Sequence, residues 1–254
     1  MKYFNLKGKN ILITGSSNGI GATIALAYAE LGANIVINYF SSEKNANNIV
    51  NKIKSLGTKS IAIKADVSNE LEVKNLLKMS NEFFKGTLNV LVNNAGNIFD
   101  SQLVKNMDYD LWNKTINTNL SSTFLVCKYA IPMLEKQFNS KIINMSSVAA
   151  CNGGGLGTTP YAAAKAGIRA FSKGLAKELA PNILVNCIAP GIINTKIHDA
   201  YINIEQRKKN LNRIPLLREG MTSDIVGAAI FLASDESNYI TGETIEINGG
   251  LYMN

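Results

Sequence analysis

The stretch "NILITGSSNGIG", Asn10 to Gly21, decides the fold. Its first five residues, "NILIT" (Asn10 to Thr14), form a short apolar, β-branched run of the kind that fills a strand buried on both faces. The glycine-rich remainder, "TGSSNGIG" (Thr14 to Gly21), passes directly into "GIGATIALAYAELGA", which reads as a helix closed by Gly32. Such a turn lets backbone approach a pyrophosphate, and the helix N-terminus stabilises the charge that arrives there. The spacing of Gly15, Gly19 and Gly21 is not Gly-x-Gly-x-x-Gly, so the strand, turn and helix context carries the expectation of dinucleotide binding.

The same alternation continues outward. Further apolar runs are "NIVIN" (Asn34 to Asn38), "SIAIKA" (Ser60 to Ala65), "NVLVNN" (Asn89 to Asn94), "KIINMS" (Lys141 to Ser146), "ILVNCIAP" (Ile183 to Pro190) and "TIEING" (Thr244 to Gly249). Helical patterns separate them, and "EKNANNIVNKIKSLG" and "NELEVKNLLKMSNEFFKG" each end at a glycine. The expectation is an α/β fold: a doubly wound, Rossmann-type sheet of seven parallel strands with helices on both faces, forming a single domain over 1–254. A long helical region is expected from Asp110 to Glu135. The rhythm breaks at 192–218, where polar residues replace the next element; its place after the sixth strand makes it a candidate substrate lid.

Composition narrows the function classes. Apolar residues make up 46% and charged ones 18% of the 254 residues, an ordinary globular balance. The net charge of +7 is scattered, and its densest run, "EQRKKNLNR" (Glu205 to Arg213), lacks interleaved aromatics, which argues against a nucleic-acid partner. No segment has the length of a signal peptide or of a membrane span, so a cytoplasmic protein is expected. Cys127, Cys151 and Cys187 lie far apart without a Cys-x-x-Cys, as in a reducing compartment. The one histidine, His198, has no ligand-type residues near it, and no metal site is expected.

Two local features bear on chemistry. In "TTPYAAAKAG" (Thr158 to Gly167), Tyr161 and Lys165 are one helical turn apart and share a face. Pro160 suits a first turn, with Thr158 or Thr159 as cap. At the end of the second strand, "NYFSSEK" has no acid from Asn38 to Ser42 to accept hydrogen bonds from ribose hydroxyls. The hydroxyls of Ser41 and Ser42 could face a 2′-phosphate instead, which favours NADP, with NAD possible.

In order along the chain, "TGSSNGIG", "DV" (Asp66, Val67), "NNAG" (Asn93 to Gly96), Asn119 in "NTNLSS", Ser147 in "NMSSVAA", Tyr161 with Lys165, and "PG" (Pro190, Gly191) followed by Thr195 resemble the short-chain dehydrogenases/reductases. The resemblance implies a cofactor site made of Gly15, Ser17, Asn18, Gly19, Ile20 and Gly21 in the turn and Tyr39, Ser41 and Ser42 after the second strand. It adds Asp66 and Val67 beside the adenine, Asn93, Asn94, Ala95 and Gly96 toward the ribose, and Pro190, Gly191, Ile193 and Thr195 toward the nicotinamide, with Tyr161 and Lys165 completing it. It also implies a homotetramer built through two long helices and the C-terminal strand.

Within that family, "NTNLSSTF", "YAAAKAGIRAFSKGLAKE" and "FLASDESNYITGETIEINGGLYM" look like 3-oxoacyl-(acyl-carrier-protein) reductases, which implies acyl-thioester substrates and an acyl carrier protein as partner. Those enzymes usually have an arginine where this chain has Asn18. They also have basic docking residues where it has Phe138 and the Pro181 region, although Lys136, Lys141 and Arg169 lie nearby. "VINY" and "NMSSV" are similar to segments of sugar dehydrogenases such as glucose 1-dehydrogenases, the alternative reading. An idle dinucleotide-binding sensor is the third, and four competent catalytic positions argue against it.

Reduction of a carbonyl develops negative charge on oxygen, so the site needs a proton donor and hydrogen-bond donors there. By the resemblance, Tyr161 supplies the proton and Lys165 lowers its pKa. Ser147 donates to the substrate oxygen, with Ser146 as rival, and Asn119 holds a water that relays protons to Lys165.

Overall fold

The computed structural model describes residues 3–195 and 211–253. Seven parallel strands form one sheet in the order β3-β2-β1-β4-β5-β6-β7: β1 (Asn10–Ile13), β2 (Asn34–Tyr39), β3 (Ser60–Lys64), β4 (Val90–Asn93), β5 (Ser140–Met145), β6 (Ile183–Pro190) and β7 (Thr244–Ile247). All seven expected runs become strands. Thr14, Ala65, Asn94 and Ser146 fall just beyond the carboxyl ends of theirs, on the edge where the chain order reverses between β1 and β4.

The strands are apolar throughout because each face has its own core. On one face Ile11, Ile13, Ile35, Ile37 and Val92 pack against α1 (Gly19–Glu30), α2 (Glu43–Ser55) and α8 (Thr222–Ala233). Tyr28 of α1 lies fully buried there, and its hydroxyl donates to the Ala229 carbonyl at 2.7 Å. On the other face Leu12, Val36, Leu91, Ile142 and Val185 meet α3 (Glu70–Phe83), α5 (Ser122–Leu134) and α7 (Thr159–Leu179). Gly32 and Gly57 follow α1 and α2 with φ of 88° and 84°, the left-handed geometry that closes a helix without a Cβ penalty, whereas α3 is closed by Lys85 at φ 54° with Gly86 after it.

The region Asp110 to Glu135 is not one regular helix. It is α4 (Tyr109–Ile116), a π-helical turn over Asn117–Ser121, and α5. Side chains opening the ladder explain the difference: the Asn119 amide donates to the Thr115 carbonyl at 2.9 Å, Ser122 to Thr118 at 2.7 Å and Thr123 to Asn119 at 3.1 Å. A short helix, α6 (Ala149–Asn152), follows β5. Pro160 does sit in the first turn of α7. Thr158 holds the N-cap position without capping, its hydroxyl donating to Gly155 O at 2.8 Å.

Of the expected lid, 192–195 and 211–218 are described; the remainder and His198 lie outside the described residues. Among the described residues no helix is long and apolar enough to cross a membrane, and no group of side chains could hold a metal ion.

Candidate active site

The glycine turn is built by three polar side chains. The Asn94 amide donates to Thr14 O and Gly15 O, each at 3.0 Å, and the Thr14 hydroxyl accepts from the N–H groups of Asn94 and Ala95 at 3.0 Å. From the other side, the Asn38 carbonyl oxygen Oδ1 accepts from Gly15 N at 3.1 Å while its amide donates to Ala65 O at 3.1 Å. Thr14 and Asn38 were not anticipated as builders of the turn. The available signal was a polar residue ending an otherwise apolar, doubly buried strand.

Two glycines are required by contact. A Cβ on Gly21 would stand 2.5 Å from Asn94 Nδ2, and one on Gly15, whose φ is 60°, would stand 2.9 Å from Ala95 Cα. Thr195 lies alongside the turn, its methyl 3.8 Å from where a Gly19 Cβ would be. Asn18 occupies the N-cap of α1 without capping it, its side chain bonding Ser17 and, at 2.6 Å, Asn45. No acid stands in the first turn of α1, so none of its own carboxylates competes for its leading N–H groups. That donor set suits a phosphate.

Farther along the edge, Tyr39 is buried at the end of β2, Ser41 is exposed, and Ser42 holds the N-cap of α2 without a side-chain cap bond. Asp66 Oδ1 is taken by its own turn, accepting from Ser68 N at 2.9 Å and Ser68 Oγ at 2.6 Å.

Three of the expected cofactor residues turn their side chains away from the cleft. Asn93 points into the core, donating to Asn144 Oδ1 at 2.8 Å and Cys127 Sγ at 3.1 Å, because the alternation of β4 sends Asn94 to the cleft side. The Val67 side chain packs in the core beneath α3. Ile193 is buried and bridged to Gly220, whose Cβ would strike Ile193 Cδ1 at 2.5 Å. The Asn94 amide, too, is engaged in holding the turn.

The chemistry-bearing side chains do converge. Lys165 donates to Met145 O at 2.8 Å and sits 5.6 Å from the centre of the Tyr161 ring. A Cβ on Gly96 would lie 2.7 Å from Asn119 Oδ1 and 3.2 Å from Lys165 Nζ, so these three residues meet at one point. The Asn119 side chain clamps Asn97 in both directions, accepting from its N–H at 3.1 Å and donating to its carbonyl at 2.9 Å. Ser147 bonds Tyr161, and its hydroxyl accepts from Ala149 N at 3.1 Å. Ser146 instead faces inward, donating to Lys165 O at 2.9 Å.

Burial pushes the Tyr161 phenol up from its ordinary value, and the Ser147 hydrogen bond offsets only part of this. Burial also pulls Lys165 down to about 8, opposed by the Cys187 sulfur. Burial disfavours the ionised form of both groups, so Tyr161 is a phenol at neutral pH.

Two of the three cations that could have served a carrier surface are turned inward. Lys141 is buried at the start of β5 and bonds Asn238. Arg169 donates to Ser146 Oγ, Ser147 O and Cys151 Sγ and pairs with Glu246. Lys136 alone of the three is exposed.

Comparison with known proteins agrees with this geometry. A family model described as enoyl-(acyl carrier protein) reductase matches residues 15–252. A 3-oxoacyl-(acyl-carrier-protein) reductase of Staphylococcus aureus is 43% identical over 246 residues, 96% of this chain and 98% of that protein. The Escherichia coli protein of the same name is 41% identical over 251 residues, 98% of this chain and 99% of its own. A short-chain dehydrogenase from Burkholderia cenocepacia, solved in complex with NADP, superposes with a TM-score of 0.90 at 32% identity, covering 97% of this chain and 99% of its own.

Proposed function

Because the chain belongs to the short-chain dehydrogenase/reductase family and is an oxidoreductase acting on CH–OH groups, we propose that it is an NADP(H)-dependent reductase of 3-oxoacyl thioesters. The observation that carries this reading is the convergence of Ser147, Tyr161 and Lys165 beside the glycine turn, on the carboxyl edge of the sheet. Relatives at 41–43% identity are named for that reaction, and the Burkholderia structure holds NADP.

The cradle fits such a cofactor: Gly15, Gly19 and Gly21 leave backbone open, the uncapped start of α1 takes the pyrophosphate, and Ser41 and Ser42 replace the acid that would repel a 2′-phosphate. When bound, the dihydronicotinamide supplies a hydride. Tyr161, kept protonated by burial, gives its proton to the substrate oxygen, and Ser147 donates a hydrogen bond to the same atom. Lys165, fixed on Met145 O, limits the cost of the phenolate left behind. The water-relay role of Asn119 falls to its main chain, since its amide is engaged by Asn97.

The inward turn of Lys141 and Arg169 favours a second reading, in which the substrate is a sugar or other secondary alcohol not delivered on an acidic carrier. We place the enzyme in the cytoplasm, in keeping with its free cysteines, as a single domain whose segment 192–218 covers the substrate. We also propose a homotetramer packed through the two long helices α5 and α7, in keeping with the half-exposed Phe124 on α5.

The deciding experiment follows NADPH and NADH absorbance with acetoacetyl thioesters, free and carrier-bound, and the reverse reaction with glucose and other aldoses. Thioester reduction with NADPH is expected. Turnover confined to aldoses overturns the first reading in favour of the second.

A further inference from the structure

We propose that Arg169 is the positioning residue for Ser147, and that Glu246 holds it in place; the proposal rests on the reading of Ser147 as the substrate's hydrogen-bond donor. Arg169 lies one helical turn beyond Lys165 on α7, and its guanidinium reaches across to the end of β5. There Nε donates to Ser146 Oγ at 3.1 Å, Nη2 to the Ser147 carbonyl at 3.2 Å, and Nη1 to Cys151 Sγ at 3.0 Å. Nη2 also lies 2.7 Å from Glu246 Oε1 of β7 in an ion pair that is not aligned as a hydrogen bond, both side chains being about 15% exposed. A planar guanidinium with five donors can bind this many fixed acceptors at once, which an ammonium cannot do.

The contacts fall on both sides of the peptide that aims Ser147. Ser146 Oγ is pinned between Arg169 and Lys165 O, so the side chain before Ser147 cannot turn outward. The Ser147 carbonyl is held on the far side, and the Ala149 amide fixes the Ser147 hydroxyl from the front. Lys165, Arg169 and the Ser146–Ser147 step therefore form one rigid unit, with the edge strand β7 tied into it through a partly desolvated ion pair. No hydrogen bond joins Arg169 to the described part of the cofactor turn or to Tyr161; of the catalytic groups it bonds directly only to Ser147, through whose carbonyl its influence on catalysis passes.

The test compares Arg169→Leu, Arg169→Lys, Glu246→Gln, Ser147→Ala and the Ser147→Ala/Arg169→Leu pair. The substrate is whichever carbonyl compound the unmodified enzyme reduces fastest. Arg169→Leu is expected to lower kcat on the order of 10- to 100-fold, as misplacement of a reacting group does, with NADPH affinity by fluorescence titration unchanged. Arg169→Lys restores part of the loss, and the double variant is no slower than Ser147→Ala alone, because the two act through one group. Losses that multiply in the double variant, or weakened NADPH binding, identify Arg169 as a general stabiliser and overturn the proposal. A Ser147→Ala variant at full speed refutes instead the reading of Ser147. A readout free of turnover is amide exchange at 146–149, expected to quicken in Arg169→Leu and recover in Arg169→Lys; unchanged exchange also overturns the proposal.

Discussion

Lys165 donates a hydrogen bond of 2.8 Å to the Met145 carbonyl while its ammonium stands 5.6 Å from the centre of the Tyr161 ring. The lysine is thus anchored to the sheet and presented to the phenol from the same helix face. Charge on Lys165 and the proton on Tyr161 belong to one local balance, in which burial disfavours both ionised forms.

Removing the phenolic hydroxyl is the most direct test of that balance. Tyr161→Phe is expected to lower kcat by at least about 100-fold, the usual worth of a positioned proton donor, with NADPH affinity nearly unchanged. A kcat near that of the unmodified enzyme would refute the assignment.

Gly96→Ala should disable the site without unfolding the protein. Its methyl would press on Asn119 Oδ1 at 2.7 Å and Lys165 Nζ at 3.2 Å, moving both away from Tyr161. Turnover is expected to drop steeply while the thermal midpoint shifts by a few degrees at most, about the effect of 1 kcal/mol in a protein of this size. Kinetics paired with calorimetry separate the two effects.

The cofactor turn offers a different signature. Asn94→Ala leaves Thr14 O and Gly15 O without their shared donor, and Gly21→Ala drives a methyl into the same amide. Each is expected to raise the NADPH dissociation constant tenfold or more, taking about 1.4 kcal/mol per tenfold. Direct titration reads this without any substrate.

Ser42→Asp should shift cofactor preference. A carboxylate at the start of α2 repels a 2′-phosphate and accepts hydrogen bonds from a ribose diol. The ratio of kcat/KM for NADPH over NADH is expected to fall in the variant, and an unchanged ratio places the 2′ position elsewhere.

Lys141 gives a prediction about stability. Burial pulls its pKa down from 10.5 to about 8, opposed by Asp235 and reinforced by Lys9. Between pH 8 and 10.5 the unfolded chain binds a proton that the folded one has released, so this group's contribution to stability rises with pH across that window. Lys141→Met removes the contribution. The stability of the unmodified protein relative to the variant, from urea unfolding, should therefore increase from pH 8 to 10; a flat difference contradicts the assignment.

Much of this architecture can be read from residue order. Parallel strands buried on both faces must be apolar runs, and the seven runs all become strands. The Tyr161 and Lys165 pair follows from helical spacing alone. Adjacent like residues at strand ends were harder to assign. In "NN" and "SS", alternation sends one residue to the core and the other to the cleft, and only three-dimensional register tells Asn93 from Asn94 or Ser146 from Ser147. The partners of Arg169 come from β5, α6 and β7, which are distant in sequence, so no local pattern announces them.

The π-helical turn at Asn117–Ser121 has a consequence for chain length. One residue fewer there would let α4 run into α5 as ordinary helix and would rotate everything beyond by about 100°. Val126, Cys127, Ala130 and Leu134 would swing out of the core, and the half-exposed Phe124 would turn with them. Even the substitution of Asn119, which breaks its bonds to Asn97 and Thr115, stays local to the turn, whereas a single deletion misaligns an entire wall of the molecule.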